Sequence, residues 1–218
     1  MYTPGKFEWT DDLMGKLAFM QRYNFAIVAS ASDGRVLATH APVVVRELGG
    51  ELRLQFHLAR ENEQTEILTT GSEARVIFAG PHGYISPRWY ANKRTVPTWN
   101  YTAIHAHGKP RVMTDDELVR HLCELVSVSE QAVGGEPWLL NSVGGGGGKM
   151  VQGMVGLICG FELVATRIQA KRKLNQNRSR DDRLGVIAAL RQTGGSDAAA
   201  LADLMEQVLD QGETELDD

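Results

Sequence analysis

Strict alternation of apolar and polar positions marks residues 51–58: Leu52, Leu54, Phe56 and Leu58 fall on one side, Glu51, Arg53, Gln55 and His57 on the other. A period of two over this length predicts an antiparallel strand with one face in a core and one toward solvent. Two apolar runs within 24–45 flank Asp33-Gly34, a dipeptide that tolerates left-handed backbone and so predicts a two-residue hairpin. Gly49-Gly50 supplies the next turn. Residues 73–80 predict a further strand, 98–112 a long strand that turns at Gly108, and 154–171 a last long strand. Helical spacing appears elsewhere. Leu13, Leu17 and Met20 share a face within 11–22, with Asp11 and Asp12 at the favourable N-terminal end. Residues 61–71 form a short helix closed by Gly71. Leu118, Leu122 and Leu125 are in register in a helix that Thr114 and Glu117 open as a capping box. Residues 181–193 and 196–210 predict two helices around Gly194-Gly195. The expected class is mainly β with helices (α+β): a β-barrel or strongly curved sheet with a C-terminal helical appendage.

Composition narrows the function classes. The 218 residues suffice for one large domain, or one domain with an appendage, and 43% hydrophobic content is enough for a core. The net charge of −4 offers nucleic acid or an anionic membrane no bulk attraction. The two cysteines, Cys123 and Cys159, lack CxxC spacing, which suits a reduced intracellular protein. No run approaches the ~20 apolar residues of a membrane span, and the N-terminus has no apolar signal core. A soluble, cytoplasmic protein is the expectation. The Gly144–Gly148 run before Lys149 fails the phosphate-loop pattern, with Val143 and Met150 at the defining ends, and reads as a linker.

Several segments carry candidate chemistry. At 57–64 a strand end meets a helix start with Asn62 as N-cap, and Arg60 stands two residues before that cap. Unpaired first-turn amides beside a guanidinium form an anion site suited to phosphate. Pairing of Arg60 with Glu61 or Glu63 is the plainer alternative. Thr39 and His40 interrupt an apolar strand, so they need polar partners or a cavity, and Pro42 suggests an edge or bulge. His105 and His107 share a strand face with Trp99, Tyr101 and Ala103, but no Cys or carboxylate stands at a companion spacing, so no metal site is assigned. Residues 79–101 hold five of the nine Trp and Tyr residues and three of the seven Pro, without helical period. So much ring area faces a core, a partner subunit or a flat ligand. Seven basic residues lie in 167–183, a solvated face or a contact for a phosphate. The helix pair that follows has helix-turn-helix proportions, yet 196–218 carry eight acidic side chains and no Lys or Arg, so phosphates would repel it.

MYTPGKFEW, ATHAPVV, HLAREN, GPHGYISPRWY, VPTWNY and KLNQNRSRDDRLGVI, in that order, resemble the PaiB family, named for a negative regulator of protease synthesis and sporulation. The resemblance runs from residue 1 to about 193; the glycine run departs from it and the final helix lies outside it. It implies a six-stranded Greek-key, FMN-binding split β-barrel and a homodimer with FMN at its interface; the barrel domain is expected over 1–178 and, from the helical spacing, a helical segment over 179–218. It also implies site residues. The segment His57, Leu58, Ala59, Arg60 and Asn62 would hold the FMN phosphate, with Arg60 as chief counter-charge. Thr39, His40 and Ala41 would run beside the flavin. Trp99 and Tyr101 would line its ring, Asn100 would meet its polar atoms, and Lys173, Gln176 and Asn177 would approach from the C-terminal segment. No catalytic residue is assigned. The implied function is negative transcriptional regulation, direct or indirect, with DNA left open as a partner. The alternatives are a flavin-dependent oxidoreductase and, more weakly, a haem protein ligated by His40, His57, His82 or His105.

Overall fold

The structure is a computed structural model and describes residues 1–10, 13–136, 138–140, 151 and 153–214. Asp11, Asp12, the Gly144–Gly148 run and residues 215–218 lie outside the described residues. The chain divides into two compact units: Leu13–Phe78 with His105–Ile168, and Met1–Asp12 with Ala79–Ile104 and Gln169–Asp218. Among the described residues no helix is long and apolar enough to cross a membrane.

The first unit begins with α1 (Leu13–Arg22) and the strands β1 (Phe25–Ser32), β2 (Arg35–Pro42), β3 (Val44–Leu48) and β4 (Glu51–Ala59). It continues with α2 (Glu63–Thr69), the start of β5 (Ala74–Ile85), the end of β6 (Thr98–Gly108), β7 (Pro110–Val112), α3 (Asp115–Val133) and β8 (Ile158–Val164). Its strands form antiparallel sheets, with β2, β1 and β5 adjacent in one and β3, β4, β8 and β7 in the other. The β1–β2 hairpin closes at Ser32↔Arg35, and both of its turn residues, Asp33 and Gly34, have positive φ (52° and 74°). This is the turn that matches strand twist. The alternating residues of β4 behave as their pattern predicts: Leu52, Leu54, Phe56 and Leu58 are buried, and Phe56 stacks on Phe161 of β8 at 5.5 Å between ring centroids. Both halves of the Thr114–Glu117 capping box are formed at the start of α3. In α1, Leu17 and Met20 are buried with Phe19, whereas Leu13 is exposed.

Two expected strands are broken by the fold. The run from Arg35 stops at Pro42 on the edge strand β2, because the Val43 N–H turns to the Asn24 carbonyl (2.8 Å) before β3 begins. The single long strand expected at 154–171 is two, β8 and β9 (Arg167–Lys173). Between them the Ala165 N–H donates to the Leu52 carbonyl (2.9 Å), and the Thr166 N–H and hydroxyl both donate to the His107 carbonyl (2.9 and 3.2 Å). A corner whose donors are satisfied this way needs no glycine or proline to mark it.

The second unit holds the end of β5, a 3₁₀ turn at Pro87–Trp89, the start of β6, then β9, α4 (Arg180–Thr193) and α5 (Ser196–Thr214). β5, β6 and β9 are neighbours in that order. The two C-terminal helices close over a buried cluster of Ile85, Tyr90, Leu174, Val186, Ile187, Leu190, Leu201 and Met205. Asn175 takes a left-handed backbone (φ 63°) and donates its amide to the Tyr90 hydroxyl at 3.2 Å, which fixes the turn between β9 and α4.

Candidate functional site

In the first unit the end of β4 and the start of α2 are tied to β2. Asn62 donates its side-chain amide to the Thr39 hydroxyl (3.0 Å) and accepts from the Gln64 N–H (2.9 Å), so one side chain caps the helix and joins two of the expected site residues. The Ala59 carbonyl accepts from the Asn62 N–H and the Thr65 hydroxyl, while the Thr65 N–H returns to the Asn62 carbonyl. Ala41 and Leu58 point into the core. His40 is exposed and stacks on Phe25, with ring centroids 5.9 Å apart. Gln64, which the sequence did not single out, is completely buried and donates to the Val28 carbonyl and the Ser30 hydroxyl, fastening α2 to β1.

Arg60 is exposed, and its side chain is engaged rather than free. Nε donates to the Gly156 carbonyl (3.1 Å) and Nη2 to the Ile158 carbonyl (3.0 Å). A hollow of about 380 Å³ lined by Arg60, Asp115, Asp116 and Gly156 lies there. Two carboxylates around the guanidinium lower the local potential for an anion. Neither Glu61 nor Glu63 takes Arg60; Glu63 pairs with Arg35 at 3.1 Å.

His57 faces α3. Its Nδ1 lies 3.2 Å from Nε2 of His121, a residue with only 1% of its surface exposed. Burial pushes both imidazoles down, and for His121, where the charges of His57 and Arg46 add to burial, the value falls to about 4. His121 Nδ1 has no partner. An unpaired acceptor is cheaper than an unpaired N–H, so the network assigns His121 Nε2 as the donor and His57 Nδ1 as the acceptor. Further along the same face, Glu162 accepts from Gln55 (2.8 Å) and Arg111 (2.8 Å) and pairs with Arg53. Burial alone would raise its carboxyl, and these donors hold it below the ordinary range instead.

In the second unit β5 and β6 expose a ring-bearing face. Ala79, Gly80, His82, Trp99, Tyr101, Thr102 and Ala103 line a hollow of about 290 Å³. Trp99 is 55% exposed, Tyr84 meets it edge-on at 6.1 Å and His82 lies at 6.3 Å. Small residues form the floor, so the rings stand as a wall. Asn100 alternates to the opposite side of β6, where it is fully buried with its amide against the Met205 sulfur (3.4 Å) and its Oδ1 unpaired. Lys173 donates to the Thr98 hydroxyl (2.5 Å). Gln176 is held in the turn after β9, accepting from the Leu174 N–H (2.7 Å) and donating to the Arg172 carbonyl (2.6 Å), while Asn177 is exposed.

The first unit also carries an uncovered apolar sheet face. The register β1–β2 aligns Ile27, Ala29 and Ala31 with His40, Ala38 and Val36, and Ile77 of β5 lies opposite Ile27. Val36 and Phe25 at its ends are 77% and 66% exposed.

Residues 1–167 match the model of the family described as "Putative FMN-binding domain". Over 191 residues the chain is 32% identical to protease synthase and sporulation protein PAI 2 of Bacillus subtilis (strain 168), covering 88% of this chain and 90% of the relative. A conserved hypothetical protein from Mycobacterium tuberculosis aligns with a TM-score of 0.57 at 14% identity, over 83% of this chain and 95% of the other. The FAD and heme binding protein from Mycobacterium smegmatis aligns with a TM-score of 0.53 at 15% identity, over 85% and 80%. At these identities the structural likeness shows the fold alone, a split barrel of antiparallel sheets with helices.

Proposed function

Because the chain belongs to the PaiB family and carries its FMN-binding domain, we propose that it is a flavin-binding regulator of gene expression whose effect depends on FMN. The observation that carries the flavin reading is the exposed Trp99 ring over a floor of Ala79, Gly80 and Ala103, with the Lys173 amine in the same unit. Those residues fit a flat ring with an anionic tail. Trp99 and Tyr101 would pack against the ring, and Lys173, Gln176 and Asn177 would supply polar contacts. Asn100 would act from beneath, by holding β6 against α5. The strand-tip residues Thr39, His40, Ala41, His57, Leu58, Ala59, Arg60 and Asn62 form the other candidate set, in which Arg60, held by two carbonyls, would meet a phosphate through its remaining N–H groups. Bound FMN supplies reversible electron acceptance; the chain's part is to bind it, orient it and shield it.

The regulatory reading comes from the relative, whose name ties it to protease synthesis and sporulation. Indirect action suits this chain better than operator reading. α5 carries Asp197, Asp203, Glu206 and Asp210 without a basic residue, and Arg191 of α4 is held by Asp203 and Glu206. Mobility-shift titration of the purified protein decides: no sequence-specific shift at ~150 mM salt is expected, and a specific complex there establishes direct binding. A homodimer is the proposed assembly, because Phe25, Ile27, Ala29 and Ala31 give this sheet an apolar stripe whose end residue Phe25 is exposed. Sedimentation equilibrium reads it directly: twice the chain mass supports it, and a monomer at micromolar concentration contradicts it.

A further inference from the structure

Lys171 and Lys173 stand at i and i+2 on β9, on one face of the strand. Lys171 is only 7% exposed. Its Nζ donates to the Tyr2 carbonyl (3.1 Å) and lies 5.1 Å from the Tyr101 ring centroid and 5.9 Å from that of Tyr2. Lys173 Nζ has the Thr98 hydroxyl as its acceptor. Among the described residues no carboxylate ion-pairs with either amine. Glu8 bridges Lys171 through the backbone, but its side chain is exposed and unpaired with the amine. Arg172, between them, faces the other way over the Trp9 ring at 4.1 Å.

A buried ammonium and a half-buried one on the same strand face, without a carboxylate partner, are unfavourable as they stand. Acidic residues are not scarce, since the chain carries 27 Asp and Glu against 23 Lys and Arg. A carbonyl and a hydroxyl satisfy part of the donors, and the Tyr2 and Tyr101 rings offset part of the Lys171 charge. Burial moves Lys173 down and the neighbouring Lys171 pushes the same way, while Tyr101 opposes them. An oxyanion would supply the negative charge that these contacts lack.

We propose that Lys171 and Lys173 form a binding site for a phosphoryl dianion, entered from the Lys173 side. The site shares Lys173 with the flavin reading and does not depend on it, because the phosphoryl group can belong to FMN or to a separate phosphorylated ligand. Lys171→Met and Lys173→Met remove one charge each and keep an apolar stem. The full-length protein is melted in inorganic phosphate and in chloride of matched ionic strength, and titrated with FMN and with riboflavin. Phosphate raises the wild-type melting temperature above the chloride control, and each variant loses that rise. In chloride Lys171→Met melts no lower than wild type, since a buried charge without a carboxylate partner has gone.

If FMN's own phosphate fills the site, FMN binding weakens about tenfold or more in the variants while riboflavin binding holds. If a separate ligand fills it, FMN affinity is unchanged and phosphate still stabilises the FMN-loaded protein. Phosphate protection without any flavin binding keeps the site and removes the flavin reading. The proposal is overturned if phosphate gives no rise over chloride and the variants bind FMN as wild type does. It is equally overturned if both variants retain the rise.

Discussion

Arg60 already gives two of its N–H groups to carbonyls, which hold its side chain in place and leave its Nη1 side for a phosphate. Arg60→Glu therefore tests two things at once. If the strand tip holds the flavin phosphate, the variant loses FMN affinity about tenfold or more, as expected of ~1.5–3 kcal/mol for a lost charge-assisted contact. If Arg60 only ties the chain near Gly156 and Ile158, FMN affinity holds and the melting temperature falls. Trp99→Ala is the matching test in the second unit. Loss of ring packing of about 0.5–1.5 kcal/mol weakens FMN binding roughly twofold to tenfold, measured by flavin fluorescence, and leaves the fold intact because the ring is exposed. The His57–His121 pair carries a pH signature. His121 is held at about 4, below its ordinary 6.5, so the folded protein resists a proton that the unfolded chain accepts. Its neutral form contributes stability fully above about pH 6.5, and the contribution is lost as pH falls toward 4. Melting temperature followed from pH 7.5 to 4.5 should drop less steeply in His121→Leu than in wild type.

At the scale of elements, local rules and remote contacts divide what the sequence makes legible. The Asp33-Gly34 hairpin, the alternation of β4 and the Thr114–Glu117 box need only neighbours in the chain, and all three form where the pattern puts them. The corner between β8 and β9 depends on carbonyls of Leu52 and His107, far away in sequence, so an unbroken apolar run hides it. Gln64 is the same kind of case: a polar residue on a short helix that acts through β1. Thr114→Ala should cost about 0.5–2 kcal/mol by removing the cap of α3, read as a lowered denaturant midpoint. Gly185 is a packing glycine, because a Cβ there would sit 2.3 Å from the Trp89 carbonyl oxygen. Gly185→Ala should destabilise by about 1–3 kcal/mol, through displacement of α4 from the turn that carries Trp89.

For the whole molecule, the split-barrel fold and the FMN-binding family are legible from ordered motifs along the chain, and the family match over residues 1–167 agrees. The site is legible to a lesser depth. Ring-rich and Thr39–Asn62 segments are visible as residue types, and Thr39 does meet Asn62. The partners that decide chemistry are not: His121 for His57, the carbonyls of Gly156 and Ile158 for Arg60, and the turn that holds Gln176. Each is a pairing between distant segments that composition does not encode. The central claim is that this chain binds FMN as its working ligand. Equilibrium titration of FMN fluorescence against the purified full-length protein tests it most directly. Saturable quenching at one FMN per chain, weakened in Trp99→Ala, is the expected result. Fluorescence that stays at its free value across the titration contradicts it.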